Sequence, residues 1–519
     1  MLSDKQIGFV TIALILAPSI LLDCFPVSTD LAAVARPETM LHLASYIPHG
    51  PIVITHNSNF SALGFPGGGT EGNPYLVYNL DVESIDIMNT DCHFIINQCK
   101  ISTVVLTGVV NGRVEACNVV SSETCIKLED SANCNVSSCT IDSVSLWEVG
   151  LKLTDSEQCH IFDNTFTSSG IILVGSSDCT IHGNTLEDLD EYKDAISLEG
   201  CRSCSVTENV VSDADVGILL SSCVNCTIAN CILGGCGLYV EGIYEVNVAN
   251  LSVNGRPLGY FYGIHNTTLN GTEYGQVFLA YCSNVTLLGG TYSGFYNGLL
   301  IHGSDLCTIE GVTFTNSLWH AVRFQASWNC TLLKSTIDRN WRGILIDSDC
   351  RFIEVLDNSV TWNWGRGIDL DASRCKVIGN DVLNNLYIGI DVSGDYNIIY
   401  YNTIYYNQYS NAYDTGTGNI WDDGVSMGNY WNDAVKYYVY VIPGHEYHPE
   451  LNAVDHFPNG VKGGSKIPPR PRPTTIFSDT DMAEPDPGWP QIAVVAVSGA
   501  VALLIVLYLW DRRRLMAES

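Results

Sequence analysis

One pattern constrains this chain more than any other: a glycine or alanine followed by alternating apolar residues, returning about every 22 residues between Tyr296 and Asn402. It stands as Gly298-Leu-Leu-Ile, Ala321-Val-Arg-Phe, Gly343-Ile-Leu-Ile, Gly367-Ile-Asp-Leu and Gly389-Ile-Asp-Val. Units of this length cannot bury an apolar face alone and must stack on their neighbours, so the chain is expected to be a solenoid.

Each unit divides into three short runs of β-branched residues alternating with polar ones and separated by turn residues. In the first run Ile344 and Ile346 point inward and Leu345 and Asp347 outward. The second is Cys307-Thr-Ile or Cys375-Lys-Val, and the third Val312-Thr-Phe or Asn380-Asp-Val. Three strands and three turns make one coil of an all-β parallel helix whose strand edges pair with the coils above and below. About 14 coils of roughly 20–25 residues fit between the Asn73-Pro-Tyr-Leu-Val segment and Asn402, with an insertion at Asn254–Tyr274. At about 4.8 Å per coil the rod is on the order of 65 Å long. The earlier Gly67-Gly-Gly-Thr70 run lacks the lysine and the strand-to-helix junction of a phosphate loop.

Charge narrows the partners. A formal net charge of −31 argues against nucleic acid, whose phosphates need a basic surface, and suits a soluble exposed protein. Residues 1–35 hold Lys5, an apolar run from Ile7 to Leu22 and Ala33-Val-Ala35, the form of a secretory signal, with a retained N-terminal anchor as the alternative. Cys24 follows a poor lipobox. Ile492–Trp510 is uninterruptedly apolar and is followed by Arg512, Arg513 and Arg514, which predicts a membrane-spanning helix over 491–511 with 512–519 in the cytoplasm. Residues 465–490 form a proline-rich linker, so the body, 36–464, is expected outside a cell membrane on a single-pass anchor. Sequons at Asn59, Asn135, Asn225, Asn250, Asn266, Asn270, Asn284 and Asn329 are compatible with that placement.

Twenty cysteines in a secreted chain first suggest disulfides, but their register suggests packing. Cys134, Cys159, Cys179, Cys204, Cys226, Cys307, Cys330 and Cys375 share one position of the repeat. Ser131, Ser156, Ser176, Cys201, Cys223, Ser304 and Ser327 share a second, three residues earlier. Cys117, Cys139, Asn164, Asn184, Asn209, Cys231, Ser335, Asn380 and Asn402 share a third, where stacked amides can bond along the axis. The zinc-like spacing of Cys201-x-x-Cys204 and Cys223-x-x-Cys226 then arises from two columns crossing adjacent coils, and buried thiols are the expectation.

After the last coil stand Gly428-Asn-Tyr-Trp, Ile442-Pro-Gly and Val454-Asp-His-Phe-Pro. With the Gly-Thr and Pro-Tyr elements of the N-terminal end, the span from Ile52 to Pro458 resembles the NosD-like right-handed parallel β-helix proteins, including archaeal cell-surface members. The resemblance implies a pectin-lyase-like fold and, loosely, sugar binding or processing. The family's named member is periplasmic and linked to copper-site maturation. Fold alone does not assign function.

The late coils carry the candidate site. One aromatic per coil precedes the strand, Tyr296, Trp319, Trp341, Trp364 and Tyr387, beside His320, Arg323, Arg342 and Arg366. Such a strip suits sugar rings, with the arginines available to uronate or sulfate; alternatively the rings pack on each other as a ladder that needs no ligand. Asp369 with Asp391, and Asp347 with Asp371, share strand positions in successive coils. They could act as an acid and base pair in a polysaccharide lyase or glycoside hydrolase, hold calcium, or form a solvated acidic face. The readings left open are a polysaccharide binder, such an enzyme, a passive structural or adhesive surface protein, and a NosD-like metal-associated protein. For the last, His445, His448 and His456 gather with Glu446, Glu450 and Asp455 in the closing segment, whose other task is to cover the last coil.

Overall fold

A computed structural model describes residues 46–145, 148–189, 194–241, 246–431, 440–444 and 452–460. The segments 1–35, 465–490, 491–511 and 512–519, and the residues His445, Glu446, His448 and Glu450, lie outside them. Among the described residues no helix is long and apolar enough to cross a membrane.

The body is an all-β parallel solenoid of about 15 turns. Each strand pairs in register with its counterpart one coil on: Leu151 with Ile171, then Ile196, then Ile218. Inward residues of these strands are buried to 0–1% exposure, which is the pattern the alternation predicted. Many corners turn through left-handed backbone, and Asn or Asp commonly sits there, as at Asn225, Asn329 and Asp357, because a short polar side chain tolerates positive φ. Among the sequons, Asn225, Asn250, Asn266, Asn270, Asn284 and Asn329 are exposed, whereas Asn59 and Asn135 are half-buried.

The columns are confirmed as packing devices. The described cysteines are free, and all but Cys92 are buried. Their thiols donate to carbonyl oxygens: Cys204 Sγ lies 3.6 Å from the Ser176 oxygen, one coil back. Burial pushes Cys236 and Cys375 up to about 12, so these thiols stay protonated. Asparagines stack into true ladders. Each Oδ1 accepts both the backbone N–H and the side-chain N–H of the asparagine one coil earlier, as Asn380 does from Asn358 at 2.9 and 3.0 Å. A parallel ladder that the sequence reading missed runs Ser317, Asn340, Asn363, Asn385, Asn407.

The closing motifs finish these ladders. Asn429 of Gly428-Asn-Tyr-Trp accepts from Asn402, and its own N–H donates at 2.8 Å to Asp455 of the Val-Asp element. Asp455 also accepts from Trp431 Nε1 and the Phe457 N–H. Another column ends on Asp414, which accepts from Asn419 and Trp421. A carboxylate suits a terminal rung because the rung must accept donors and has no further coil to donate to. Trp421 and Trp431, both fully buried, plug this end of the core; Phe60, stacked 4.8 Å from Tyr75, plugs the other.

The insertion expected at Asn254–Tyr274 is instead part of the solenoid. Ser252–Val253 and Arg256–Tyr262 form an antiparallel hairpin, after which Arg256–Tyr262 pairs in parallel with Gln276–Ala280, and His265–Asn270 with Ser283–Leu288. Among the described strands the parallel ladders break at this hairpin. The Gln276 amide crosses the break, accepting from the Leu238 N–H at 3.0 Å and donating to the Leu238 oxygen at 2.9 Å, as a neighbouring peptide would.

Candidate functional site

The site face is built from six stacked strands: Asn297–His302, His320–Gln325, Arg342–Ile346, Ile368–Leu370, Ile388–Val392 and Ser410–Asp414. Register places Asn297 beside His320 and then Arg342, and Asp369 beside Asp391 and then Tyr413. The repeat glycine is required by how closely the coils meet there. A Cβ on Gly343 would lie 2.1 Å from the Gly367 oxygen, and one on Gly367 2.6 Å from the Gly389 oxygen.

The aromatics form two stacks. Tyr239 and Tyr296 lie 4.6 Å apart, Tyr296 stacks on Trp319 at 6.1 Å, and the Arg342 guanidinium sits 4.7 Å over the Trp319 ring. Further along, Arg366 lies 6.0 Å over Tyr387, which stacks on Tyr409 at 4.8 Å. Tyr296, Trp319 and Tyr387 therefore serve in part as the self-packing ladder. Trp364 differs: it is 63% exposed and makes no ring contact among the described residues, and Trp341 beside it is half-buried. Trp362 in the same coil and Tyr406 and Tyr409 two coils on are each more than half exposed and add further rings. Sequence reasoning passed over these three and Tyr239. Tyr409 could have been found as the next member of the series after Tyr387, one coil on.

The charges are already engaged with one another. Arg323 grips Asp347 through Nε at 2.9 Å and Nη2 at 2.7 Å. Arg366 donates to Asp369 at 2.7 Å, and its Nε reaches Asp391 as an ion pair without the alignment of a hydrogen bond. Arg342 comes within 3.9 Å of Asp369. Asp369, expected to face solvent, is 4% exposed, with the Arg366 and Arg342 side chains against its carboxylate. Burial raises Asp347 and Asp369, and pushes Asp391 up to about 6 against the lowering pull of Arg366. Asp371 accepts a hydrogen bond from Ser393.

His320 is buried edge-on to Trp319, and neither ring nitrogen has a hydrogen-bond partner among the described residues; the same holds for Asn297 Nδ2 and Ser317 Oγ. Burial, reinforced by Arg342, Arg323 and Arg366, holds His320 well below the usual histidine range, so it is neutral.

The described members of the closing-segment cluster are separately engaged. His456 Nδ1 pairs with Asp422 at 2.9 Å, and Asp455 is the fully buried ladder end. Among the described residues no group of three or more His, Cys, Asp or Glu side chains converges as a metal set. The arginines take carboxylate oxygens of Asp347, Asp369 and Asp391 that a calcium ion would need.

Solved structures similar to this chain include the catalytic domain of a GH87 α-1,3-glucanase, at 13% identity, covering 69% of this chain and 70% of that one, TM-score 0.30. An exopolygalacturonase from Thermotoga maritima is 9% identical, covering 57% and 80%, TM-score 0.26. The A-module of a mannuronan C-5 epimerase from Azotobacter vinelandii is 12% identical, covering 70% and 91%, TM-score 0.21. At such identities and TM-scores these likenesses carry no argument about what this chain acts on. No curated protein matches it. Residues 85–255 and 241–435 match the family described as periplasmic copper-binding protein (NosD), and across that span, most of the solenoid with the face just described, the chain belongs to the NosD family.

Proposed function

We propose that this protein is an extracellular solenoid, tethered through its C-terminal apolar segment, that binds polysaccharide along the face from Tyr296 to Tyr409. The observation that carries this reading is the exposed, unstacked Trp364, with exposed Trp362 two residues before it in the same coil and exposed Tyr387, Tyr406 and Tyr409 in the coils that follow. Exposed rings cost solubility and offer flat apolar faces for the C–H side of a sugar. Trp364→Ala should weaken retention on a polysaccharide gel by roughly 5- to 30-fold, about 1–2 kcal/mol, and leave the melting temperature unchanged. Unfolding of the variant, or unchanged retention, would remove the proposal.

A second reading, cleavage of the bound chain, rests on Asp391. A carboxyl raised to about 6 beside Asp369 in the adjacent coil has the form of an acid and base pair. Loss of chain length during incubation supports it, and retention without cleavage supports binding alone. Copper is a poorer fit to the described residues. They bring no metal set together, and their thiols are engaged with backbone oxygens in a close-packed core.

A further inference from the structure

We infer that the Tyr296–Tyr409 face selects uncharged sugars over uronates and sulfated sugars, because its arginines are neutralised from within; this rests on the binding reading above. A face that grips anionic sugars must present guanidinium groups whose N–H donors are free to fork onto a carboxylate or sulfate. Here the forks of Arg323 and Arg366 are turned largely onto the protein's own carboxylates. Arg323 spends Nε and Nη2 on Asp347, and Arg366 is drawn to Asp369 and Asp391 on two successive coils. Arg342 lies against the Trp319 ring and within 3.9 Å of Asp369.

The count of charges points the same way. Arg323, Arg342 and Arg366 stand against Asp347, Asp369, Asp371 and Asp391, three cations against four carboxylates, in a chain of net charge −31. Glu241 adds to the negative side at Arg323, and Asp414 at Asp391. His320 supplies no cation, since burial and the three arginines keep it neutral. An anionic sugar would meet net repulsion near neutral pH. A neutral sugar would find flat rings at Trp364, Tyr387 and Tyr409. It would also find the accessible edges of Asp371, Asp391 and Arg366, whose remaining acceptors and donors suit hydroxyl groups.

The test is affinity electrophoresis of the full-length chain in gels containing mannan, β-1,3-glucan, polygalacturonate or dextran sulfate at low salt and pH 7.5. Retardation by at least one neutral polymer and by neither anionic one is expected. The variant Asp347→Asn, which frees the Arg323 fork and removes one negative charge, should gain about fivefold in affinity for polygalacturonate, the size of one unit-charge interaction at contact in water. Retardation by the anionic polymers equal to or above the neutral ones would overturn the selectivity and leave the binding reading standing. Retardation by none of the four, with the Asp347→Asn variant equally inert, would overturn both.

Discussion

Asparagine 363 offers the sharpest test of how the coils are held. Its Oδ1 accepts from the Asn340 N–H and from Asn340 Nδ2, each at 3.0 Å, and its Nδ2 donates to the Ile337 oxygen at 3.3 Å and to Asn385 Oδ1 at 2.8 Å. Alanine removes all of these contacts. Asn340 Nδ2 keeps the Phe314 and Asp338 oxygens, but the Asn340 N–H is left without an acceptor in a site of 0% exposure. A buried orphan donor costs about 1–3 kcal/mol, and each of the three other lost bonds a net ~0.5–1.5 kcal/mol, so Asn363→Ala should destabilise by about 3–7 kcal/mol. Cys375→Ala, which removes a buried sulfur and one weak bond, should cost nearer ~1 kcal/mol. Chemical denaturation of the full-length chain followed by circular dichroism gives the comparison, and hydrogen exchange at the Asn340 amide localises it. Equal, small costs for the two variants with an unchanged Asn340 exchange rate would refute the idea that the amide ladders, more than the sulfur columns, fasten the coils.

Asp455→Asn should destabilise by about 1–3 kcal/mol, with exchange rising first around Asn429, since an amide cannot accept on both sides as Asp455 does from Asn429, Trp431 and Phe457. Asp391 binds its proton more tightly folded than unfolded, so its stabilising contribution is complete near pH 4 and is lost as pH rises through about 6. The stability difference between wild type and Asp391→Asn should therefore fall by up to about 3 kcal/mol from pH 4 to 7; a flat difference would show that the carboxyl is not raised. Alkylation of unfolded, unreduced protein should label the nineteen described cysteines as free thiols, and a fully paired set would contradict the packing role. Protease added to intact cells should release the body by cutting between Ser465 and Pro490, whereas cleavage only after lysis would count against the outward anchor.

The fold was written in the sequence wherever one face of a strand had to be buried. The Gly298, Gly343, Gly367 and Gly389 series marked the corner, and Ile344 and Ile346 marked the core, because a period-2 strand shifted by one residue would bury Asp347. The Asn340 and Asn363 ladder was also there, each asparagine directly preceding a tryptophan, but the conspicuous ring drew the assignment outward. The site was harder to read. Arg342 and Arg366 carry the same letters whether they await a ligand or are held by Asp369 and Asp391. Only the three-dimensional stacking of the coils, which brings both arginines onto the nearly buried Asp369, decides between those states. The hairpin at Ser252–Arg256 reads as an insertion in the sequence because its residues lack the apolar and cysteine columns that identify the other coils.

That hairpin changes how neighbouring coils are coupled. In a solenoid each coil is stabilised by its two neighbours, and an unfolding front travels from rung to rung. Where the parallel ladders break, the Gln276 amide stands in for a strand, and the coils on either side are joined by the continuous apolar core and the Tyr239–Tyr296 ring contact more than by rungs. An unfolding front that reaches the hairpin therefore passes from backbone pairing to side-chain packing, with the Gln276 side chain imitating the missing peptide there.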